Sequence, residues 1–277
     1  KPDIACITSM DADHLDIYGD ASALEASFLA FADLVHDKNK LLHKKGLPLQ
    51  GQSVALEGPA AYQGKNIRIE NGAYKFDFIA PEVTLRDVSF CLPGHHNLHN
   101  AVTALSMAIL AGAPTHLLKD ALSKFKGVAR RFSYRIRRDD LVLIDDYAHH
   151  PTELDALYQG VSEMYPDDQK VIVFQPHLFS RTRDFIDGFA ESLARFNQVF
   201  LLDIYPARET PIEGVNSSWL LEKIKKIAID VDNISLVSKE SLPEHLKKSS
   251  CRIKLLVGAG DIGAEVSQIT KILEHEN

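Results

Sequence analysis

The stretch KLLVGAGDIG, residues 254–263, decides how the chain folds. An apolar run breaks into Gly258, Gly260 and Gly263, which fit G-x-G-x-x-G, the turn in which a strand end and a helix start hold a dinucleotide's pyrophosphate. That site also needs a helix, a second strand and an acid roughly 20 residues further on to hold the ribose. Only 14 residues follow Gly263 in the 277-residue sequence. The glycines are therefore expected to form the last strand-to-helix turn of a sheet, where small residues let packed elements approach, and not an NAD site.

Working upstream from that turn, KVIVFQP, QVFLLDIY and ISLVS are further short apolar strands, each separated by helical pattern. Leu154, Leu157, Tyr158, Val161 and Met164 mark one helix; Phe185, Phe189, Leu193 and Phe196 mark another. FSYRIRRDDLVLIDDYA (132–148) reads as a hairpin ending in a buried strand. Strands alternating with helices predict a parallel sheet with helices on its faces. Before Gly127 the rhythm differs. A short strand from Ile4 to Thr8 leads through a polar loop to a helix whose buried face is expected to carry Leu24, Phe28, Phe31 and Leu34. NIRIENGAYKFDFI (66–79) holds an Asn-Gly hairpin signal. A helix through AVTALSMAILAGA ends at Gly112 with Pro114 beyond it, and THLLKDALSKF forms a shorter one. The boundary falls near Gly127, dividing the chain into 1–127 and 128–277.

Composition excludes several classes. A 45% hydrophobic, 25% charged chain is that of a globular protein with a real core. A net charge of -7 speaks against a nucleic-acid partner. Cys6, Cys91 and Cys251 form no C-x-x-C pair, a reduced, cytoplasmic usage with neither disulfide framework nor zinc site. No apolar run approaches the roughly 18 residues of a membrane span, and there is no signal peptide. Lys1 opens the sequence almost directly onto a strand, so the chain is expected to be a fragment of a larger protein.

Three successive strands run into chemistry-bearing loops: LVLID into DYAHHPTE, VIVFQ into PHLFSRTR, and VFLLD into IYPARETPI. In an open α/β sheet ligands sit beyond the carboxyl ends of strands. Acids, histidines and arginines there point to a site, whereas a bland loop favours Gly, Ser and Asn. Pro151 suits a first helical turn and pushes His150 into an extended conformation, though His150 could equally serve as a helix cap. Arg181 and Arg183 offer planar forks for carboxylate or phosphate, with Ser180 a candidate N-cap. Asp11, Asp13, His14 and Asp16 suit Mg²⁺ better than a structural zinc, or form a solvated acidic loop. His95 and His99 are spaced i, i+4, but HHNLHN lacks the Glu of a zinc helix.

Taken together, DADHLDIYGD, PGHHNLHNAVTA, GVARRFSYR, DDYAHHPTELDA, FQPHLFSRTRDFIDGFA, IYPARETPIEGV and VGAGDIG resemble the Mur ligases, in order along the whole chain. DDYAHHPTE, FQPH and SRTRD resemble the alanine-adding members most. The resemblance implies an α/β fold: part of a central ATP-binding domain, then a Rossmann-like C-terminal domain with a mostly parallel sheet. It implies an ATP- and Mg²⁺-dependent ligase joining L-alanine to UDP-N-acetylmuramate through an acyl phosphate, in the cytoplasm. By the same resemblance, His14 is a Mg²⁺ ligand, and His96, Asn97 and Asn100 are adenine-binding. Arg131 and Asp145 serve ATP. Tyr147, His150, His177, Arg181 and Arg183 line the amino-acid and acyl-phosphate side, with Arg183 favoured for the acceptor carboxylate and His150 as base. Two departures matter. The family's phosphate loop and its N-terminal UDP-sugar domain are absent, so this portion alone is expected not to catalyse. His95 stands where many relatives have Arg. Residues 21–36 contain no Lys, so the modified lysine of some relatives has no counterpart there. A peptide-adding sister ligase of cell-wall recycling and a non-catalytic nucleotide-binding fragment remain as alternatives.

Overall fold

The computed structural model describes residues 1–11, 18, 20–70, 72–227 and 233–274. It divides into two compact units, Lys1–Lys126 and Gly127–Asn277. Each is built on a six-stranded, mostly parallel sheet.

In the first unit β1 (Ala5–Ile7), β2 (Leu41–Lys44), β3 (Gln52–Ala55), β4 (Tyr62–Glu70), β5 (Ala73–Ile79) and β6 (Thr84–Phe90) lie side by side in chain order. The pairs from β1 to β4 are parallel, and β4–β5 and β5–β6 are antiparallel. Gly72 has φ 70°, as the β4–β5 turn requires, while Asn71 lies outside the described residues. Helix α1 (Ala21–Asp33) starts on Asp20, whose carboxylate accepts the Ala23 N–H at 2.8 Å. Its buried stripe differs from the expected one. Leu24, Ala32 and, just beyond the helix, Val35 are buried, Phe28 packs against that core, and Phe31 and Leu34 are each 41% exposed. A 3.6-residue period allows steps of three or four, and here the chain takes four twice before three. Helices α2 (His95–Leu110) and α3 (Thr115–Ser123) follow, with Gly112 at φ 81° between them.

The second unit begins with the hairpin β7 (Ser133–Arg137) and β8 (Val142–Asp146), then α4 (Pro151–Met164), β9 (Lys170–Phe174), α5 (Phe179–Asp184) and α6 (Ile186–Leu193). It continues through β10 (Gln198–Leu201), α7 (Ser217–Lys225), β11 (Ile234–Leu236), α8 (Leu242–Lys248), β12 (Ile253–Val257) and α9 (Ile262–Glu274). The order is β11-β10-β9-β12-β8-β7, parallel except at β7–β8. Right-handed crossovers explain the layering. Moving from β8 through β9 and β10 to β11, the chain lays α4, α6 and α7 on one face; returning to β12 it lays α8 and α9 on the other. Strand residues alternate accordingly. Ile144, Ile172, Phe174, Leu201 and Leu255 join the α4/α6/α7 core, and Leu143, Val171, Val173, Phe200 and Leu256 join the α8/α9 core. Both faces being covered, the strands read as continuous apolar runs.

Two lysines interrupt those runs at the end of the sheet opposite the glycine turn. Lys170 is 4% and Lys254 5% exposed. Lys170 Nζ donates to the Tyr165 and Asp168 carbonyls at 2.8 and 2.7 Å, where α4 ends. Lys254 Nζ donates to Leu246 and Ser249 at 2.8 and 2.9 Å, where α8 ends. The last carbonyls of a helix lack partners within it, and an ammonium meets both their hydrogen-bonding need and the negative end of the dipole. Lys254→Met leaves those carbonyls buried and unpaired. We predict a loss of about 1–3 kcal/mol in urea unfolding; a change below about 0.5 kcal/mol, the range of ordinary surface substitutions, contradicts the capping role.

Candidate functional site

Parallel strands with covered faces bring their carboxyl ends to one edge, and there the second unit concentrates its polar side chains. Asp145, at the end of β8, is 1% exposed. Its carboxylate pairs with Arg130 Nε at 3.4 Å and Arg135 Nη2 at 3.0 Å. Arg130 also donates to the Gly258 carbonyl and lies over the Tyr147 ring, 5.0 Å from its centroid. The glycine turn makes this possible. A Cβ at Gly263 would stand 2.5 Å from Arg130 Cζ, and one at Gly258 (φ 145°) 2.7 Å from the Gln175 carbonyl. The turn thus joins β12 to α9 and accepts Arg130 against its backbone, as a packing turn should. Arg131 is about half exposed, pairs with Glu153 at 3.1 Å and brings its guanidinium to 5.7 Å from the Tyr147 ring centroid. Arg130 and Phe132 both adopt left-handed φ, 59° and 47°, which turns one arginine inward and its neighbour outward.

The loop after β8 is held by buried acceptors. Asp146 takes the N–H of Phe132 at 2.7 Å and of Ala148 at 2.8 Å. Burial nevertheless pushes its carboxyl up to about 6, against the pull of those two N–H groups. His150 is extended (φ -129°, ψ 148°) and caps α4, its Nδ1 accepting from the Thr152 N–H at 3.4 Å. Its ring meets Phe185, 4.5 Å between centroids. His149 Nδ1 lies 2.9 Å from the Tyr147 carbonyl and 3.2 Å from Glu153 Oε2. Both neighbours are acceptors, so Nδ1 is the donor in these contacts. Glu153 also accepts the His149 N–H at 2.8 Å. Burial raises its carboxyl, but the bonds from His149 and Arg131 outweigh that and hold it below its ordinary value.

The next strand end supplies His177, whose ring faces His149 at 6.1 Å and stacks on Tyr205 at 5.7 Å and 20°. Burial, then Arg181 and His149, hold the His177 imidazole below its ordinary range, keeping it neutral near pH 7. Arg181 Nη1 is 3.5 Å from His177 Nδ1. Arg183 projects to the surface, half exposed and paired with Asp184 at 2.7 Å. Ser180 is not the N-cap of α5, which starts from Leu178; the Ser180 N–H instead donates to Glu209 at 3.0 Å. Gln175, 2% exposed, donates to Asp261 at 2.7 Å and accepts the first N–H of α9 from Ile262 at 2.9 Å, tying β9 to the glycine turn.

The structure therefore gathers Asp145, Tyr147, His177 and Arg181 with Arg130, His149, Glu153, Tyr205 and Glu209. The last five went unassigned in the sequence. The i, i+4 spacing of His149 and Glu153 is a signal that could have found them; Tyr205 and Glu209 meet their partners only through the sheet.

In the first unit α2 opens at Gly94 (φ 94°), whose N–H donates to the Tyr74 hydroxyl at 3.0 Å. Asn97 is part-buried and donates to the Pro93 carbonyl at 2.7 Å, so its amide secures the turn. His96 and Asn100 are exposed and one helical turn apart, so an imidazole and a carboxamide share one face. That donor and acceptor chemistry fits a purine. His99 instead is buried, its Nε2 3.3 Å from the Val54 carbonyl. His14 lies outside the described residues, and among those described no group of three or more His, Cys, Asp or Glu could hold a metal. No described helix is long and apolar enough to cross a membrane.

Comparison with known families agrees with this architecture. Residues 1–108 match the Mur ligase middle domain, and residues 130–258 match the Mur ligase glutamate ligase domain. The chain belongs to the Mur ligase family. Among its curated relatives, a UDP-N-acetylmuramate–L-alanine ligase of Christiangramia forsetii is 55% identical over 276 residues, covering 100% of this chain and 60% of the relative. One of Flavobacterium johnsoniae is 53% identical over 272 residues, covering 98% and 60%. This Mur ligase chain thus spans about 60% of the length of those relatives. The crystal structure of a UDP-N-acetylmuramate–alanine ligase from Thermotoga maritima has the same fold, with a TM-score of 0.79 at 22% identity over 100% of this chain and 60% of that one.

The raised Asp146 carboxyl has a thermodynamic signature. Between pH 3.8 and about 6 the folded state keeps a proton that the unfolded chain releases, so this group's contribution to stability falls as pH rises through that window. By pH 7 the fall amounts to roughly 3 kcal/mol. Asp146→Asn removes the titration. Urea unfolding at pH 4.5 and pH 7 should show the wild type losing more stability across the interval than the variant; equal losses would refute the assignment.

Proposed function

We propose that the protein carrying this chain joins L-alanine to UDP-N-acetylmuramate in an ATP-dependent reaction, with this chain supplying part of the nucleotide side and the acceptor side. The observation that carries the reading is the 55% identity, along the whole chain, to a relative with that activity in its name. The site's chemistry supports it. The lactyl carboxylate attacks the γ-phosphate of ATP and ADP leaves. The amine of L-alanine then attacks the acyl carbon, phosphate leaves, and the amine gives up a proton. Little covalent work falls to the protein; positioning and charge stabilisation dominate.

This chain offers groups for each task. His96 and Asn100 would meet the adenine, on a helix start that Asn97 fixes. Arg131 and Asp145 serve the nucleotide side, with Arg130 and Arg135 holding the buried Asp145 carboxylate in place. His14 suits Mg²⁺, which would supply charge neutralisation at the phosphates. On the acceptor side Tyr147, His150, His177, Arg181 and Arg183 surround the amino acid. His149 Nε2, on the ring edge away from the Tyr147 carbonyl and Glu153, would take the amine's proton. A cytoplasmic location follows from the need for ATP and a UDP-sugar.

The test is phosphate release by the full-length protein with ATP, Mg²⁺ and UDP-N-acetylmuramate, across a panel of L-amino acids and one tripeptide. Release that depends on L-alanine, with a product heavier by one alanine residue, is expected. Release with the tripeptide alone, or with no acceptor at all, would overturn the reading. In the same protein Arg183→Ala should raise KM for L-alanine by about tenfold or more, the loss of a charge-assisted bond, and leave KM for ATP within about twofold. His14→Ala should shift the Mg²⁺ dependence instead. An unchanged alanine response in Arg183→Ala removes Arg183 from the carboxylate site.

A further inference from the structure

Glu209 sits on the loop between β10 and α7, 29 residues from the segment it binds. One oxygen accepts the Ser180 N–H at 3.0 Å and the other accepts the Ser180 hydroxyl. Phe179 N–H also donates to this carboxylate. These are the opening residues of α5, a helix with no side-chain cap of its own. Glu209 therefore does from another loop what an N-cap does locally, satisfying first-turn N–H groups that have no partner in the helix.

The segment needs such a hold. Leu178 has φ 71° and ψ 136°, a conformation that a side chain of its size rarely adopts. A strained residue persists only where its surroundings over-determine it. Here the Tyr205 carbonyl accepts the Leu178 N–H at 2.9 Å, and the Tyr205 N–H donates to the Pro176 carbonyl at 2.8 Å. Tyr205 also stacks on His177. Tyr205 and Glu209, four residues apart on one loop, thus grip the chain on either side of the turn. The turn sets where His177 points, and the first turn of α5 sets where Arg181 returns to meet it.

We propose that Glu209 is a positioning residue for the acceptor amino acid: by clamping Phe179 and Ser180 it holds the strained Leu178 turn and so places His177 and Arg181 for the incoming amine and its carboxylate. This rests on the acceptor-side reading given under Proposed function. Glu209 acts through this segment, its carboxylate being taken up by Ser180 and the Phe179 N–H. Nothing in the sequence between residues 176 and 184 could supply the carboxylate, since Asp184, its only acid, closes α5 and is paired with Arg183.

The test compares Glu209→Ala, Glu209→Gln, Ser180→Ala and the Ser180→Ala/Glu209→Ala double variant in the full-length protein. Glu209→Ala should raise KM for L-alanine roughly tenfold to hundredfold, as expected for losing several charge-assisted bonds. KM for ATP should stay within about twofold. Glu209→Gln keeps an oxygen for the N–H groups and should recover part of the loss. The double variant should be within about twofold of Glu209→Ala alone, because both act through one contact. A fall in kcat with KM for L-alanine unchanged, or additive effects of the two single substitutions, would overturn the proposal. Hydrogen exchange of peptide 177–184 supplies a readout independent of activity. It should speed up about tenfold or more in Glu209→Ala, local opening being governed by such bonds, while β9 is unaffected. Unchanged exchange refutes the clamp whatever the reaction proves to be. Faster exchange in an enzyme without alanine-dependent release would leave the clamp standing and reject its acceptor role.

Discussion

The handedness of strand-helix-strand crossovers governs the second unit. Because each parallel connection turns the same way, moving outward from β8 and then returning to β12 covers both faces of the sheet. With both faces closed to water, polar chemistry can gather only at the edges, and parallel strands deliver every carboxyl end to the same one. Asp145, Tyr147, His177, Tyr205 and Gly258 come from four strands with little sequence between strand end and side chain. The cluster is a consequence of topology before it is a consequence of residue choice.

Within that edge the buried charges are arranged in unequal ways. Asp145 has two guanidinium partners, Arg130 and Arg135. Asp146, its neighbour, has two backbone N–H groups and only the weaker pull of Arg131, so burial dominates and its carboxyl rises. The pleat separates the two side chains onto opposite faces, and opposite environments follow. A similar contrast holds for the histidines. His150 is committed to starting a helix, while the His149 and His177 rings meet edge to face beyond the strand ends.

Much of this was legible in the sequence because it depends on short-range rules. Apolar runs separated by helical pattern gave parallel strands, and Pro151 gave an extended His150 before a helix. What could not be read depends on backbone torsion or on distant partners. Nothing in RRFSY shows that Arg130 and Phe132 take left-handed φ, so nothing shows which of the two arginines reaches Asp145. The Ser180 hydroxyl looks like a local cap until the carboxylate of Glu209 arrives from another loop. The misplaced face of α1 has a plainer cause: Phe31 and Leu34 fit the helical period as well as Ala32 and Val35 do, and size alone favoured the wrong pair.

Lys170 and Lys254, sealing helix ends at the far edge, give the second unit two ends of different character. At one, residues are held in strained or desolvated states, as Leu178 and Asp146 are. At the other, Lys170 and Lys254 answer the carbonyls of Tyr165, Asp168, Leu246 and Ser249. Substitutions at the lysine edge should therefore act on melting behaviour alone, and those at the glycine-turn edge on rates and affinities as well as, at Asp146, on stability. That division lets a lineage adjust how long the fold survives without disturbing what it does.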